Sequence, residues 1–183
     1  MMLLGKLLGQ EPSLMVEAAL HLGTLMPLFV YFSKDICDML RAVLLGRWSS
    51  PEGKLGIALL IGAVPAGLAG FFLHSFVANV SSNLGLAGLG LGITSLLLLI
   101  GSSAHVRHES LTWKTAFWIG CVQMLALFRG ISRSGSTIAS GLLFGLDEKT
   151  AVKFSFLLSI PIVLGANVLS LGASQLPPSL FGA

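Results

Sequence analysis

The sequence predicts an all-α membrane protein: a bundle of helices that cross the bilayer, with one broken or re-entrant helix pair. The chain of 183 residues is 54% hydrophobic and only 10% charged, whereas soluble domains carry about 25% charged residues. Its mean hydropathy is +0.88. Several apolar stretches have the length of a membrane span, and one further apolar stretch is interrupted by a polar segment rich in arginine, serine and glycine.

The apolar stretches predict the membrane spans. A helix needs about 20 mainly apolar residues to cross a hydrocarbon core of roughly 30 Å. Stretches that meet this requirement lie at about 13–32, 55–77, 84–101 and 154–171. The chain length fits one compact bundle. We therefore predict a single membrane domain over residues 1–183, and we expect it to be incomplete at both ends.

The apolar stretch 115–146 is divided by the segment RGISRSGST at 129–137. Its first part, 115–128, has 14 residues and would be about 21 Å long as a helix. That is shorter than the hydrocarbon core. Non-helical backbone is tolerated at membrane depth only where protein or a wet cavity surrounds it. The pattern predicts a broken or re-entrant pair with the polar segment at its tip, as found around anion sites in transporter-like folds.

Arg133 is the strongest candidate for a ligand-binding residue. No acidic residue lies between 112 and 146 to neutralise it, and an ionisable residue at membrane depth is a functional candidate by default. Its planar guanidinium matches phosphate oxygens. The residue therefore predicts a phosphate site inside the membrane. The alternative is an interfacial arginine that extends to the lipid headgroups.

The small residues around Arg133 are predicted to complete the phosphate site. Exposed N–H groups and the positive end of a helix that starts at such a loop attract an anion. The candidates are Gly130, Ser132, Ser134, Gly135, Ser136 and Thr137. Their hydroxyls have an alternative role in satisfying the broken helix backbone, with Ser134 or Ser136 as N-cap and Gly135 at the turn. The segment has no His or Lys that would activate a nucleophilic serine.

Three further residues are weighed at the edge of this site. Arg129 is either a second phosphate ligand or a charge at the lip of the cavity, and the sequence favours neither. Glu17 and His21 lie one helical turn apart in the first span. The simpler interpretation is a buried polar pair that forms hydrogen bonds and holds neighbouring helices together. The alternative is a metal-binding or proton-transfer role beside the phosphate site.

The charged segments predict the orientation. Segment 78–83 has no Lys or Arg. Segments 33–54 and 102–114 together carry six basic residues: Lys34, Arg41, Arg47, Lys54, Arg107 and Lys114. By the positive-inside rule, the two charged segments are expected in the cytoplasm. The chain has no basic tract of the kind that binds nucleic acid. It also has no CxxC or HExxH pattern, so spacing alone predicts no metal site.

The segment RGISRSGST, followed by KFSFLLSIP at 153–161, closely resembles the undecaprenyl-pyrophosphate phosphatase family of the bacitracin-resistance type. The hallmark of that family is PGxSRSGxT followed by EFSFLLxxP. The resemblance extends to VEAALHLGTLMPLFVYF at 16–32 and LIGAVPAGLAGFFLH at 60–74. It implies Arg133 and Ser132 as catalytic residues, with Ser134, Gly135 and Thr137 in the same loop.

The same resemblance implies a multi-pass protein of the bacterial inner membrane that hydrolyses undecaprenyl pyrophosphate to undecaprenyl phosphate and phosphate. This reaction recycles the lipid carrier for peptidoglycan, and it confers resistance to bacitracin. The implied cofactor is Mg²⁺ or Ca²⁺, and the active site is expected to face the outer side. The expected partners are a polyprenyl diphosphate lipid and the membrane, not nucleic acid. A homodimer is left open.

Two departures from the family pattern matter. Arg129 stands where the family has proline. The family's (E/Q)xxxE motif and Gly-His loop, implied to supply the metal ligands and a histidine, have no counterpart in these 183 residues. We therefore interpret the chain as an internal fragment and expect it to be inactive in isolation. The alternatives to a phosphatase are a lipid-phosphate transporter or flippase and a catalytically inert fragment.

Overall fold

The computed structural model describes residues 14–73, 77, 84–104, 109–128 and 130–175, and these form an all-α bundle. This confirms the predicted fold class. The helices of the described part are α1 (Leu14–Tyr31), α2 (Ser33–Leu44), α3 (Pro51–Phe72), α4 (Leu84–Ser102), α5 (Trp113–Gln123), α6 (Arg133–Leu143) and α7 (Glu148–Gln175). A 3-10 turn, Met124–Leu127, follows α5 directly.

Three helices of the described part are long and apolar enough to cross a membrane. The qualifying stretches are Pro51–Phe72 in α3, Gly85–Ser102 in α4 and Glu148–Asn167 in α7. The first of them has 22 residues, which corresponds to about 33 Å of helix and so covers the hydrocarbon core. The chain is therefore a multi-pass membrane protein.

The predicted broken pair is present as α5 and α6. Each helix has 11 residues, about 16 Å of length, so neither crosses the membrane alone. The 3-10 turn follows α5, and the backbone then reverses through Gly130, which has a φ of +99°. The amide of Glu109, just before α5, donates to the carbonyl of Gly145, just after α6 (3.1 Å). The pair therefore enters and leaves on one side of the bundle, with Arg133 at its tip.

Two helices begin earlier than their predicted spans because polar residues cap them. Ser50 accepts a hydrogen bond from the amide of Gly53 (3.0 Å) at the start of α3, where Pro51 occupies the first turn. Asp147 accepts one from the amide of Thr150 (3.1 Å) at the start of α7. Such caps satisfy amides that have no partner within the helix.

The charged segment after α1, residues 33–54, is largely helical. It forms α2, in which Ala42 is buried and Ile36 and Met39 pack against the core. Its charged residues, Lys34, Asp35, Asp38 and Arg41, are spaced among these apolar ones, which gives the amphipathic pattern of a surface helix. Lys153 of α7 donates to Asp35 of α2 over 2.6 Å, so this helix is also tied to the bundle by an ion pair.

The core lies where α3, α5 and α7 meet. Its buried residues include Ala58, Leu59, Ala116, Ile119, Phe154, Leu157 and Leu158. Helices α3 and α5 touch through their backbones, because a Cβ at Gly120 would lie 2.2 Å from the carbonyl oxygen of Gly62. Small residues allow this close approach in membrane helices. The contact holds the first arm of the broken pair against the bundle.

Candidate functional site

Helix α6 begins inside the arginine-serine segment, and Ser132 is its N-cap. Ser132 has extended backbone angles (φ −72°, ψ 120°), and its hydroxyl accepts a hydrogen bond from the amide of Gly135 (3.2 Å). The expectation that Ser134 or Ser136 caps the helix is therefore wrong, because both lie within it. The left-handed glycine of the turn is Gly130, not Gly135.

Helix α4 supports the turn from behind. A Cβ at Gly130 would lie 2.1 Å from the carbonyl oxygen of Ala87, and a Cβ at Gly90 would lie 2.9 Å from the backbone of Gly130 and Ile131. Any larger side chain at Gly130 or Gly90 would push the turn away from α4. Backbone contact with α4 therefore fixes the position of the turn between α5 and α6.

Arg133 and Ser134, the first two residues of α6, line a cavity of about 330 Å³, within the usual range for ligand pockets. The other lining residues are Thr24, Leu25 and Leu28 of α1 and Ser155, Phe156, Ser159 and Val163 of α7. Hydroxyls and the guanidinium thus share the cavity with four large apolar side chains. This composition suits an amphipathic ligand with an anionic end.

The charge of Arg133 is not balanced by a carboxylate among the described side chains. Among the described side chains, the carboxylate of Asp35 pairs with Lys153 and not with Arg133. Arg133 is half-buried, and a guanidinium is always charged. The amides of Arg133 and Ser134 also precede the intrahelical hydrogen bonds of α6. The positive end of the helix and a fixed cation therefore border the same cavity, which is an arrangement for binding an anion.

The hydroxyls deeper in α6 serve the helix. Ser136 and Thr137 are buried, and both donate to the carbonyl of Arg133 at 2.9 Å. Thr137 also contacts the hydroxyl of Ser155 on α7 at 2.5 Å. Neither side chain lines the cavity, and nor does Gly135, which is buried. In the structure they brace the first turn of α6, so their predicted contact with phosphate stays a prediction.

Sequence reasoning missed two residues beside the segment. Thr94 of α4 accepts a hydrogen bond from the amide of Ser132 (3.0 Å), and Ser155 of α7 both lines the cavity and contacts Thr137. Thr94 and its neighbour Ser95 are the two hydroxyl-bearing residues of the span predicted at 84–101. That signal was available in the sequence, but it did not indicate which neighbour the hydroxyl would meet.

The three residues weighed at the edge of the site gain no support from the geometry. Arg129 lies outside the described residues. Glu17 and His21 lie in α1, the helix that also contributes Leu25 and Leu28 to the cavity, but their side chains are outside the described part. Their roles stay predictions.

The described residues do not fit a divalent metal ion. Within the described ranges, no three His, Cys, Asp or Glu residues come together in a group that would hold a metal. The cavity side chains offer hydroxyls and a guanidinium, whereas Mg²⁺ and Ca²⁺ are held chiefly by carboxylate oxygens. The described part of the cavity therefore lacks the carboxylates that would hold such an ion.

The fold and the cavity together define a polytopic membrane protein in which the turn between two half-helices carries an arginine that lines a cavity. The chain belongs to the family described as bacitracin resistance protein BacA, which it matches over residues 1–181. This confirms the resemblance inferred from RGISRSGST and KFSFLLSIP.

Several similar proteins are named undecaprenyl-diphosphatase. The one from Trichlorobacter lovleyi is 41% identical, over 92% of this chain and 65% of the relative. The one from Desulfosudis oleivorans is 40% identical, over 87% and 64%. The one from Methanosphaera stadtmanae is 34% identical, over 93% and 68%. The chain therefore spans about two thirds of the length of these relatives.

Proposed function

We propose that this protein hydrolyses undecaprenyl diphosphate to undecaprenyl phosphate and inorganic phosphate. The observation that carries the proposal is the half-buried Arg133 at the start of α6, facing an amphipathic cavity with no carboxylate partner among the described side chains. The relatives named undecaprenyl-diphosphatase support the same reaction. In this reaction a water oxygen bonds to the terminal phosphorus. The bond to the bridging oxygen breaks, and undecaprenyl phosphate leaves.

The residues of the cavity suit the two ends of this substrate. The diphosphate is polyanionic, and the guanidinium of Arg133 offers paired donors to its oxygens. The same charge would stabilise the oxygens of the phosphoryl group as it is transferred. Leu25, Leu28, Phe156 and Val163 form the apolar part of the lining, where the first isoprene units would lie.

Ser132 contributes to the site through its position. Its hydroxyl caps α6 by accepting a hydrogen bond from the amide of Gly135. This bond fixes the first turn of α6, whose residues Arg133 and Ser134 line the cavity. Nothing in the described part of the chain places a histidine or lysine beside it, so we assign it no nucleophilic role. The serine therefore shapes the turn that carries Arg133.

The proposed location is the inner membrane, with the site facing outward. The broken pair enters and leaves on the side where Glu109 meets Gly145, and this is the side of the charged segments. If these segments are cytoplasmic by the positive-inside rule, the tip of the pair points away from the cytoplasm. Arg133 would then meet a headgroup presented from the outer leaflet.

The test is a comparison of purified wild-type protein with Arg133→Ala and Arg133→Lys. Loss of one preorganised donor typically lowers kcat about 100- to 1,000-fold. We expect Arg133→Ala to lose phosphate release from undecaprenyl diphosphate to that extent, and Arg133→Lys to recover part of it. Arg47→Ala is the matched control, because Arg47 is exposed and lies outside the cavity.

Binding separates headgroup recognition from catalysis. Wild-type protein should bind farnesyl diphosphate much more tightly than farnesol, and Arg133→Ala should lose this difference. Equal binding of the two lipids by wild type, or phosphate release by Arg133→Ala at the wild-type rate, would contradict the proposal. A chain that binds diphosphate but releases no phosphate would fit an inert fragment and defeat the phosphatase assignment for these 183 residues.

A lipid-phosphate transporter is the second candidate, favoured by the discontinuous helix pair that transporters also use around anion sites. Vesicles containing the protein and a labelled prenyl phosphate distinguish the two activities. Movement of the label between leaflets without phosphate release would support transport. Phosphate release without movement supports the phosphatase.

A further inference from the structure

Thr94 is a buried polar residue in the middle of an apolar transmembrane helix. It lies in α4 and is 5% exposed. Its hydroxyl donates to the carbonyl of Gly90 over 3.0 Å, the bond to the preceding turn that threonines commonly make in helices. Because this bond uses the only proton of the hydroxyl, its oxygen can only accept from any other neighbour.

The neighbour that donates to Thr94 is the backbone of the candidate site. The amide of Ser132 reaches the Thr94 hydroxyl over 3.0 Å, across 38 residues of sequence. This amide belongs to the N-cap residue of α6, directly before Arg133. The backbone at Ser132 is thus held by its own amide from α4, while its side chain caps α6 through Gly135.

The methyl group of Thr94 makes a second contact with the same turn. A Cβ at Gly135 would lie only 2.8 Å from Cγ2 of Thr94, so the methyl rests against the glycine backbone. One side chain therefore contacts the cap of α6 with its oxygen and the first turn of α6 with its methyl. The backbone contact of Gly130 with Ala87 holds the other end of the turn.

We propose that Thr94 is a positioning residue that sets where Arg133 and the start of α6 face the cavity. The inference rests on the proposed function, since the group being positioned is the phosphate-binding one. Thr94 itself does not line the cavity and acts only through the turn. A misplacement of about 1 Å in a catalytic geometry can lower the rate roughly 100-fold.

Thr94→Val and Thr94→Ser separate the two contacts. Valine keeps the branched shape and removes the hydroxyl, whereas serine keeps the hydroxyl and removes the methyl. Ser95→Ala is the matched control: Ser95 makes the same bond to its own helix, to Leu91 at 3.0 Å, but is exposed and does not contact the turn. Thr94→Ala serves as a smaller substitution if the valine variant does not fold.

Two measurements test the proposal. In hydrogen exchange, Thr94→Val should speed exchange of the Ser132 amide at least tenfold, while Thr94→Ser and Ser95→Ala leave it near the wild-type rate. In the phosphate-release assay, run well below the melting temperature of every variant, Thr94→Val should lower kcat about 10- to 100-fold. Thr94→Ser should restore most of the loss.

An unchanged exchange rate of the Ser132 amide in the valine and alanine variants would show that the Thr94 hydroxyl does not hold this amide. Faster exchange with unchanged kcat would overturn the positioning role. If the wild-type protein releases no phosphate, the proposed function fails, and protection of the 131–135 amides by inorganic diphosphate then decides the proposal. Protection in wild type that is lost in Thr94→Val supports positioning, whereas equal protection in both contradicts it.

Discussion

Gly130→Ala tests whether the turn at the tip of the broken pair governs the site. Gly130 has a φ of +99°, a conformation that residues with a Cβ rarely adopt. An added Cβ would also lie 2.1 Å from the carbonyl oxygen of Ala87. The substitution therefore strains the backbone and presses the turn against α4 at the same point.

The size of the effect follows from these two terms. Ordinary van der Waals contact between a Cβ and another heavy atom begins at 3.4 Å. The turn must therefore move by about 1.3 Å (from 2.1 to 3.4 Å) to separate the new Cβ from the carbonyl oxygen of Ala87. A strained φ costs about 1–3 kcal/mol, and overpacking typically costs about 1–3 kcal/mol more. We expect a loss of at least about 2 kcal/mol in stability. A shift of about 1 Å at Arg133 would lower phosphate release roughly 100-fold.

The assay compares phosphate release and thermal unfolding in detergent for wild type, Gly130→Ala and Gly92→Ala. Gly92 lies in α4, and a Cβ there would meet no atom within 4 Å. In a helix, alanine is more stable than glycine by about 0.5–1 kcal/mol, so this control should be at least as stable as wild type. Wild-type activity and melting temperature in Gly130→Ala would refute the reasoning from the turn geometry.

Two further predictions concern the ion pair and the metal. Lys153 and Asp35 are both 39% exposed, so a double-mutant cycle with Asp35→Asn and Lys153→Gln should give a coupling of about 0.2–1 kcal/mol. A coupling above about 2 kcal/mol would show that the pair is better shielded than the structure indicates. The resemblance implies Mg²⁺ or Ca²⁺, which residues outside the described part would have to hold. On that expectation, EDTA abolishes phosphate release and Mg²⁺ or Ca²⁺ restores it, and activity that persists in EDTA would contradict the expectation.

The architecture was largely predictable because membrane spans are determined by local composition. The length of the apolar stretches predicted an all-α bundle, and the 14 residues before Arg129 predicted a break. A helix too short for the hydrocarbon core must end inside protein. The break was found, with α6 starting at Arg133. The charged segment after α1 was less predictable, since polar residues suit both a loop and an amphipathic helix such as α2.

The details of the site were less predictable than its place in the chain. Serines are common in the segment, and Ser132, Ser134 and Ser136 all have the chemistry of an N-cap. The structure selects Ser132, because the turn through Gly130 ends there. The choice depends on where α4 meets the turn, and that contact has no signature in the local sequence.

Sequence alone determined that segment 129–137 carries the candidate phosphate-binding arginine and that the membrane helix breaks there. Both depend only on composition and length along the chain. Tertiary structure alone decided which residues distant in sequence contact one another, at the turn that carries Arg133 and elsewhere. The amide of Ser132 meets Thr94 across 38 residues of sequence, and Lys153 meets Asp35 across 118. Such contacts arise only when helices pack, because the partners are brought together by the relative placement of whole helices and not by any neighbouring residue.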